Sequence, residues 1–551
     1  MDTDELTGKN INRRPRGRGL WLLLAMAVVI IFAAGIRLRL LDTPLERDEG
    51  EYAYAGRLIL QGHAPYLHVY SMKMPGIFAV YAIILAVFGQ TPAAIHLGLL
   101  LVNSAAIVLV FLLARRLYDS TAGVVAAAAF AVLSLSRYVQ GLFANAEHFV
   151  ILPVLAAFLL LLAAVERQKW YKFFIAGVLL GLAFVIKQHG AAFTLFALLY
   201  IGCCCIRRRP FLWKNSALNM LLFLVGCIIP VAITVLVLWR TQALAGFWFW
   251  TFEYARQHLT VPSLLGGPGR LASQAKQFGH SATWLCLLMV VGLSSLWWNK
   301  KAVRNVMFTA GFSVFSFLAV CPGFHFRPHY FVLLLPAAAV LAGIGAAAII
   351  DVFARQKSGI ISKLLPIILV VGSLFHAFST QGHYLLMLDA VDVCRATYPL
   401  QLFPETLRVG RFIKEHSKRD DLIAVVGSEP QIYFYADRRS ATGYIYMYPL
   451  MEPHPYALRM QEEMISEIET ASPEFLVVVY NPVSWMVRPE SEKMILSWAH
   501  DYPQKFYRMT GIIDVAADDS VSYVWDDAAS DYRPRGDRYI FIYQRRRDNS
   551  N

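Results

Sequence analysis

The stretch LWLLLAMAVVIIFAAGIRLRLLDTPLERDEGEYAY, residues 20–54, places a long apolar run directly before a group of four carboxylates. The run is long enough to cross a hydrocarbon core about 30 Å thick. Four arginines precede it, at positions 13, 14, 16 and 18. Its end, Ile36-Arg37-Leu38-Arg39, carries no small-residue cleavage site. The pattern therefore predicts a signal anchor that is retained as the first membrane span.

Similar apolar runs of roughly 17 to 25 residues recur as far as Thr380 and then stop. The chain has 551 residues, of which 57% are apolar and 16% charged, a composition too apolar for an ordinary soluble protein. The net charge of +13 is not read as nucleic-acid binding, because the basic residues form short clusters between the apolar runs. The composition therefore indicates a polytopic α-helical membrane protein.

We expect about 11 transmembrane helices, near residues 20–41, 93–114, 121–137, 148–165, 173–187, 190–206, 216–239, 281–298, 303–321, 329–350 and 363–380. The basic loops at 115–116, 167–172, 207–214, 300–304 and 355–363 are then all cytoplasmic. The apolar segment Ile77 to Phe88 is short, and counting it as a span would move Arg115-Arg116 to the other face. We therefore predict that this segment is re-entrant or interfacial, and that the C-terminus lies outside.

This topology divides the chain into a cytoplasmic tail (1–19), a transmembrane domain (20–380) and a periplasmic domain (381–551). Helix-like and strand-like stretches alternate in the last part, which predicts a small α/β domain. Its Val426-Gly427-Ser428-Glu429-Pro430 turn lacks the spacing of a dinucleotide site. Between Arg240 and His280 the sequence predicts an interfacial helix followed by a mobile loop at Gly266-Gly267-Pro268-Gly269.

The acidic group after the first span carries the strongest chemical signal. Asp48 and Glu49 share the first outer loop with Lys73-Met74-Pro75-Gly76. Acid clusters at membrane surfaces are usually solvated or ion-paired. A lysine at this depth, however, can hold a phosphate as a point charge. The loop thus combines acids with a candidate phosphate ligand.

These motifs resemble glycosyltransferase family 39, the protein mannosyltransferases and aminoarabinose lipid A transferases of the GT-C fold. Asp48-Glu49 resembles the acidic motif of that family's first loop. Lys73-Met74-Pro75 resembles its Lys-Pro-Pro motif, with methionine in place of one proline. Ala144-Asn145-Ala146-Glu147-His148 falls where the family carries its second acid, here a glutamate. The resemblance covers about residues 20–380 in layout and implies the GT-C fold.

By this resemblance Asp48 is the general base that deprotonates an acceptor as it attacks the anomeric carbon of a lipid-linked sugar, with inversion. A carboxylate suits that task if the membrane edge raises its pKa. Glu49 and Glu147 are expected to orient the acceptor or to bind a cation. The departing polyprenyl phosphate needs cations near the membrane surface, for which Lys73 and Lys187 are candidates.

The segment His325-Phe326-Arg327-Pro328-His329-Tyr330 resembles a loop that the family carries ahead of a late span. Arg327, His329 and Tyr330 are therefore further candidates for substrate binding. Two alternatives stay open, because Lys187 has the position of a snorkelling anchor and the late loop that of an aromatic belt.

The sequence thus predicts a glycosyltransferase of the bacterial inner membrane, acting at the periplasmic face on lipid A, a glycan or a protein. Its expected partners are the polyprenyl-phosphate sugar, the acceptor and the bilayer. No cofactor and no metal site are expected, since the outer histidines lack zinc-site spacing, although a divalent cation at the acids is left open. A lipid or polysaccharide flippase and a noncatalytic assembly subunit are the alternatives.

Overall fold

The structure is a computed structural model that describes residues 16–208, 213–258, 261–355 and 359–546. In the first part of the chain, the described residues form seventeen α-helices: α1 Arg16–Arg39, α2 Arg47–Leu60, α3 Pro75–Phe88, α4 Pro92–Leu117, α5 Ser120–Leu133, α6 Ala146–Arg167, α7 Trp170–Ile186, α8 Gly190–Arg207, α9 Trp213–Arg240, α10 Leu244–Trp248, α11 Ala255–His258, α12 Val261–Ser281, α13 Thr283–Trp298, α14 Lys300–Val303, α15 Val306–Val320, α16 Leu335–Arg355 and α17 Ile360–Ser379. A π-helix, Phe249–Tyr254, joins α10 to α11.

A helix lies at each of the eleven predicted spans. Among the described residues, six helices are long and apolar enough to cross a membrane: α1, α4, α6, α8, α9 and α16. Residues 265–281 and α13 together form a further apolar pair, bent by 105°. The other predicted spans coincide with shorter apolar helices, as does α3, the segment predicted to be re-entrant. The predicted multi-span class is confirmed.

Small residues let the helices approach one another closely. A Cβ placed on Gly177 of α7 would lie 2.1 Å from the carbonyl oxygen of Phe223 in α9, and one on Gly226 would lie 2.3 Å from that of Phe174. The backbones of α7 and α9 are therefore in contact. Such close approach is usual between transmembrane helices, because van der Waals packing and not the hydrophobic effect drives their association in lipid.

The basic loops meet at one end of the helix bundle. Arg116 forms an ion pair with Glu166, and Lys301 contacts both Asp119 and Asp351. These contacts join the ends of α4 and α6, and they join α14 to α16 and to the residue before α5. The loops at 115–116 and 300–304 therefore lie at the same end of the bundle, as a shared face requires. The predicted 1–19 tail falls mostly on residues 1–15, outside the described residues, as do positions 209–212 and 356–358 of two basic loops.

The second part of the chain is an α/β domain. A π-helix, His383–Met387, leads from α17 into it. Its elements are α18 Ala390–Thr397, α19 Phe403–His416, β1 Leu422–Val426, α20 Gln431–Ala436, β2 Arg439–Ser440, α21 Tyr448–Met451, α22 Ala457–Ala471, β3 Phe475–Tyr480, α23 Pro482–Trp485, α24 Met494–Phe506, β4 Tyr507–Val515, β5 Val521–Trp525, α25 Asp527–Asp531 and β6 Arg538–Arg545. The strand order is β2-β1-β3-β6-β4-β5. β1 is parallel to β2 and β3, whereas the pairs β3–β6, β6–β4 and β4–β5 are antiparallel.

One expectation for the outer connection is wrong. The predicted mobile loop at 266–269 is helical and belongs to α12, in which Pro268 is an internal residue. A contact outside the local sequence holds this segment, because the Arg270 side chain donates to the carbonyl oxygen of Phe324 at 3.0 Å. A Cβ on Gly267 would lie 3.0 Å from that of Phe324. Gly267 thus allows a close approach between α12 and Phe324.

Candidate active site

A capping box at the start of α2 fixes the directions of the first acids. Glu46 accepts a hydrogen bond from the backbone N–H of Glu49 at 3.1 Å. Glu49 accepts one from the backbone N–H of Glu46 at 3.0 Å. This reciprocal pairing is a recurrent N-terminal motif of helices. It turns the side chain of Glu49 back towards the helix start, and Asp48 points elsewhere.

Asp48 forms an ion pair with Lys73. The Nζ of Lys73 lies 2.9 Å from Oδ2 of Asp48 and 5.5 Å from the centre of the Tyr52 ring. The hydroxyl of Tyr66 donates to the Lys73 carbonyl oxygen at 2.6 Å, and Pro75 then begins α3. The predicted base and the predicted phosphate ligand therefore face each other across the first loop.

The pKa of Asp48 differs from the expectation. Burial raises the pKa of this carboxyl, but Lys73, through its charge and its hydrogen bond, and the nearby His329 and Arg327 outweigh burial and hold the pKa below its usual range. Burial also lowers the pKa of Lys73, and Asp48 and Glu51 more than restore it. The condition that the membrane edge raises the pKa of Asp48 is therefore not met here, because this edge supplies a cation as well as a low dielectric constant.

Glu49 lies away from this pair. Its Oε1 accepts from the backbone N–H of Ala144 at 2.5 Å and lies 3.1 Å from Nε2 of His96. The side chain is fully buried. Glu49 thus joins α2 to α4 and to the segment before α6, and it shares no described contact with Lys73.

A second ion pair is built by the start of α6 and the end of α7. Oε1 of Glu147 contacts Nζ of Lys187. Nε2 of His329 lies 4.0 Å from the same oxygen, while its Nδ1 is 2.9 Å from Oε1 of Gln140. Oε2 of Glu147 is buried and has no hydrogen-bond partner among the described residues. One carboxylate oxygen is therefore left without a donor.

Tyr330 and Arg327 connect the two ion pairs. The Nζ of Lys187 lies 4.5 Å from the centre of the Tyr330 ring. The Arg327 side chain is exposed, and its charge acts on Asp48 and on Tyr330. Across the described ranges, no hydrogen bond or ion pair occupies its guanidinium. Arg327 is therefore a cation available to an anionic ligand.

The structure thus brings together seven of the eight predicted site residues. Asp48, Lys73, Glu147, Lys187, Arg327, His329 and Tyr330 form one cluster, and Glu49 is the exception. Their contacts leave their catalytic roles as predictions. The snorkelling alternative for Lys187 fits poorly, because its ammonium group points at Glu147 and not along the lipid surface.

Three further residues belong to the cluster and were not predicted. The hydroxyl of Tyr446, in the α/β domain, donates to Oε2 of Glu51 at 2.9 Å and lies 3.5 Å from Oδ1 of Asp48. Burial raises the pKa of Glu51 to about 7. Gln140 holds His329. No local signal marks Tyr446, since almost 400 residues separate it from its partners, whereas Glu51 belonged to the quoted acidic group.

The α/β domain is docked directly on α2. Arg47 donates to the carbonyl oxygen of Ser428 at 2.5 Å and to Oε1 of Gln401 at 2.8 Å, and it lies 3.4 Å from Glu429. A Cβ on Gly50 would lie 2.6 Å from both N and Cβ of Gln431. The glycine-containing turn that lacked a nucleotide motif is therefore part of the contact with the acidic helix.

An apolar cavity of about 910 Å³ lies beside the cluster. Met74, the neighbour of Lys73, is one lining residue, and the others come mainly from α7, α9, α10 and the π-helix that follows: Phe184, Val185, Val231, Thr234, Val235, Trp239, Gln242, Leu244, Ala245, Phe247, Trp248, Phe252 and Glu253. The predicted interfacial helix thus forms a wall of this cavity. Its lining suits a hydrocarbon chain.

The acids do not form a metal cage. Within the residues that the structure describes, no group of three or more His, Cys, Asp and Glu side chains is placed to hold a metal ion. Asp48 and Glu147 are instead each paired with a lysine. The expectation that no cofactor is required stays a prediction.

Comparison with known proteins adds a family match and a fold. Residues 72–240 match the family described as dolichyl-phosphate-mannose-protein mannosyltransferase. That range contains Lys73, Glu147 and Lys187, whereas Asp48 and Arg327 lie outside it. No curated protein is significantly similar in sequence.

Two solved structures are similar over most of the chain. The archaeal oligosaccharyltransferase AglB from Archaeoglobus fulgidus, in complex with an inhibitory peptide and a dolichol-phosphate, is 13% identical, with a TM-score of 0.57; the match covers 93% of this chain and 75% of that one. ArnT from Cupriavidus metallidurans, bound to undecaprenyl phosphate, is 14% identical, with a TM-score of 0.53 and coverage of 96% and 98%. The fold is that of the GT-C glycosyltransferases. The fold class predicted from the sequence is confirmed, and the family match agrees with the predicted membrane glycosyltransferase.

Proposed function

We propose that this protein is an inverting glycosyltransferase that moves a sugar from a polyprenyl-phosphate donor to an acceptor at the membrane surface. The observation that carries the proposal is the Asp48–Lys73 pair at the edge of the apolar cavity. This place combines a carboxylate that can take a proton, a cation that can hold a phosphate and an apolar cavity that suits a hydrocarbon chain. The acceptor is lipid A, a glycan or a protein.

The donor binds with its prenyl chain along the cavity and its phosphate among the cations of the cluster. Met74 lines the cavity and Lys73 precedes it in sequence, so the boundary between apolar and charged surface falls between these two side chains. Arg327 has a guanidinium available for the phosphate, and Lys187 lies beyond Tyr330. These charges stabilise the phosphate as it departs.

Asp48 takes the proton of the acceptor group. The new bond joins the acceptor atom to the anomeric carbon, the bond from that carbon to the phosphate oxygen breaks, and the polyprenyl phosphate leaves with the electron pair. A phosphate that engages Lys73 draws this ammonium away from Asp48, and the pKa of the carboxyl then rises towards its ordinary value. Donor binding thus prepares the base.

Glu147 and Lys187 form the far wall of the site. The unpartnered Oε2 of Glu147 is available to an acceptor N–H or O–H, so this residue orients the acceptor and Asp48 moves the proton. Glu49 supports α2 from behind, through His96 and the backbone of Ala144.

Turnover by the purified full-length protein tests the proposal. Incubation with polyprenyl-phosphate sugars and candidate acceptors should yield a glycosylated acceptor with inverted anomeric configuration. Mass spectrometry of lipid A, surface glycans and envelope proteins from a deletion strain identifies the acceptor by a missing hexose or aminosugar. If all three are unchanged and no sugar transfers in vitro, the enzyme assignment fails.

We further propose that the protein lies in a bacterial inner membrane, with the cluster and the α/β domain in the periplasm. Two single-cysteine variants of a cysteine-depleted chain test this: Asp518→Cys in the α/β domain and Lys169→Cys in a basic loop, both at exposed positions. An impermeant thiol reagent applied to intact spheroplasts should label the first and not the second. The reverse pattern would contradict the orientation.

A further inference from the structure

A polar cavity lies at the end of the bundle where the basic loops meet, opposite the acidic cluster. Its volume is about 350 Å³, and Arg116, Leu117, Tyr118, Glu166, Lys300, Lys301, Arg304 and Asn305 line it. These residues come from the ends of α4 and α6 and from the connection between α13 and α15. Four of them are cations and one is an acid.

The cations differ in what already engages them. Lys301 donates to Asp119 at 3.1 Å and to Asp351 at 2.8 Å, and Arg116 pairs with Glu166 at 2.7 Å. The side chains of Lys300 and Arg304 are exposed, and neither has a hydrogen bond or ion pair in the described parts of the chain. The Nε of Arg116 is buried and lacks a hydrogen-bond acceptor there. Three donor groups thus converge on a cavity with one opposing carboxylate.

The position of the cavity identifies the kind of anion that reaches it. Four tryptophans at helix ends near the basic loops are more than half exposed: Trp170, Trp213, Trp297 and Trp298. Exposed tryptophans at helix ends mark the level of the lipid headgroups. The cavity opens between apolar helices at this level, where phospholipid phosphates are concentrated.

We propose that this cavity binds the headgroup phosphate of an anionic phospholipid. Lys300 and Arg304 supply the charge, and Nε of Arg116 donates a directed hydrogen bond. Basic pockets between transmembrane helices bind anionic headgroups in this manner. Glu166 and the acids that hold Lys301 limit the excess charge, so a single phosphate fits the cavity better than a polyanion. The site is independent of the proposed sugar transfer.

Native mass spectrometry of the full chain tests the proposal, with phosphatidylglycerol or phosphatidylcholine in the micelles. The wild-type protein should retain phosphatidylglycerol preferentially. Lys300→Ala with Arg304→Ala should weaken this binding about thirty-fold, or about fivefold per cation, and leave phosphatidylcholine unaffected. The matched control is Lys169→Ala with Lys172→Ala, which removes two charges from the same face outside the cavity and should leave binding unchanged.

Two outcomes would overturn the site. Equal losses in both double variants would reduce it to general surface charge. Displacement of the lipid by inorganic phosphate at equal concentration would assign the cavity to a soluble anion. If the alanine variant unfolds, Lys300→Arg with Arg304→Lys decides, since this exchange keeps both charges and should keep lipid selectivity; its loss would also reject the proposal.

Discussion

Lys73 and Asp48 neutralise each other, with their charged atoms 2.9 Å apart. The cation needed for the phosphate and the carboxylate needed for the proton are therefore one unit before substrate arrives. A change at either residue therefore alters the pKa of the other. The pH dependence of turnover then distinguishes the first two predictions.

Asp48→Asn should lower turnover by about 10² to 10⁴-fold, because the amide keeps the shape of the side chain but cannot take a proton. Donor binding should change little, since the cations stay. Turnover in detergent with a polyprenyl-phosphate sugar, normalised to folded protein, measures the effect. Glu49→Gln is the neighbouring control: it should lower thermal stability through His96 and Ala144 more than turnover. A wild-type rate for Asp48→Asn would remove the proposed base.

Lys73→Ala should impair donor use far more than Lys73→Arg, because the arginine side chain keeps the positive charge that attracts the phosphate. Lys73 lowers the pKa of Asp48, so its removal raises that pKa. Asp48 must be ionised to act, and the acid limb of the rate profile of Lys73→Ala should therefore move to higher pH. The pH dependence of kcat/KM measures this shift. If Lys73→Ala and Lys73→Arg lost equal activity and the acid limb did not move, the shape of the lysine side chain and not its charge would be what matters.

Lys187→Met should destabilise the protein by about 3 to 5 kcal/mol, because it leaves the buried charge of Glu147 without its partner. Adding Glu147→Gln should restore most of that stability, since the remaining groups are neutral. Turnover should stay low in the double variant if Glu147 orients the acceptor. A double-mutant cycle on thermal unfolding and on turnover separates the two effects, and additive losses of stability would show that the residues act independently.

Glu51 should make stability fall as pH rises. The pKa of its carboxyl is raised from 4.5 to about 7 in the folded chain, so between these values the folded state holds a proton that the unfolded state has lost. Stability is then highest below about pH 4.5 for this group and declines by up to about 3 kcal/mol towards neutral pH. Glu51→Gln should flatten this decline and cost little activity. Thermal unfolding of both proteins across this interval is the measurement, and identical slopes would contradict the assignment.

Gly50→Ala should loosen the α/β domain from α2, because the new methyl group would meet the backbone of Gln431 at 2.6 Å. Overpacking of this kind costs about 1 to 3 kcal/mol. Limited proteolysis between α17 and β1 should accelerate, and turnover should fall with it. Gly372→Ala is the matched control, since no atom lies within 4 Å of its added methyl group. Unchanged proteolysis of Gly50→Ala would place the domain contact elsewhere.

Most of the fold and part of the candidate site could be predicted from local sequence patterns. Apolar runs and basic loops predicted helices at all eleven span positions, because each of these patterns lies within about 20 consecutive residues. The alternation of helix-like and strand-like stretches likewise predicted the α/β domain. The helical state of residues 266–269 was not, because a contact with Phe324 holds that segment. The lowered pKa of Asp48 depends on Lys73, 25 residues away, and the place of Tyr446 depends on how two domains dock.

The hydroxyl of Tyr446, in the α/β domain, contacts the acids of α2. An antibody fragment that separated β1 and α20 from α2 would withdraw this hydroxyl together with the Arg47 contacts. Such a binder would inhibit sugar transfer without entering the apolar cavity, and raising the donor concentration would not reverse the inhibition. The α/β domain thus offers an allosteric target apart from the cavity that we propose to hold the donor.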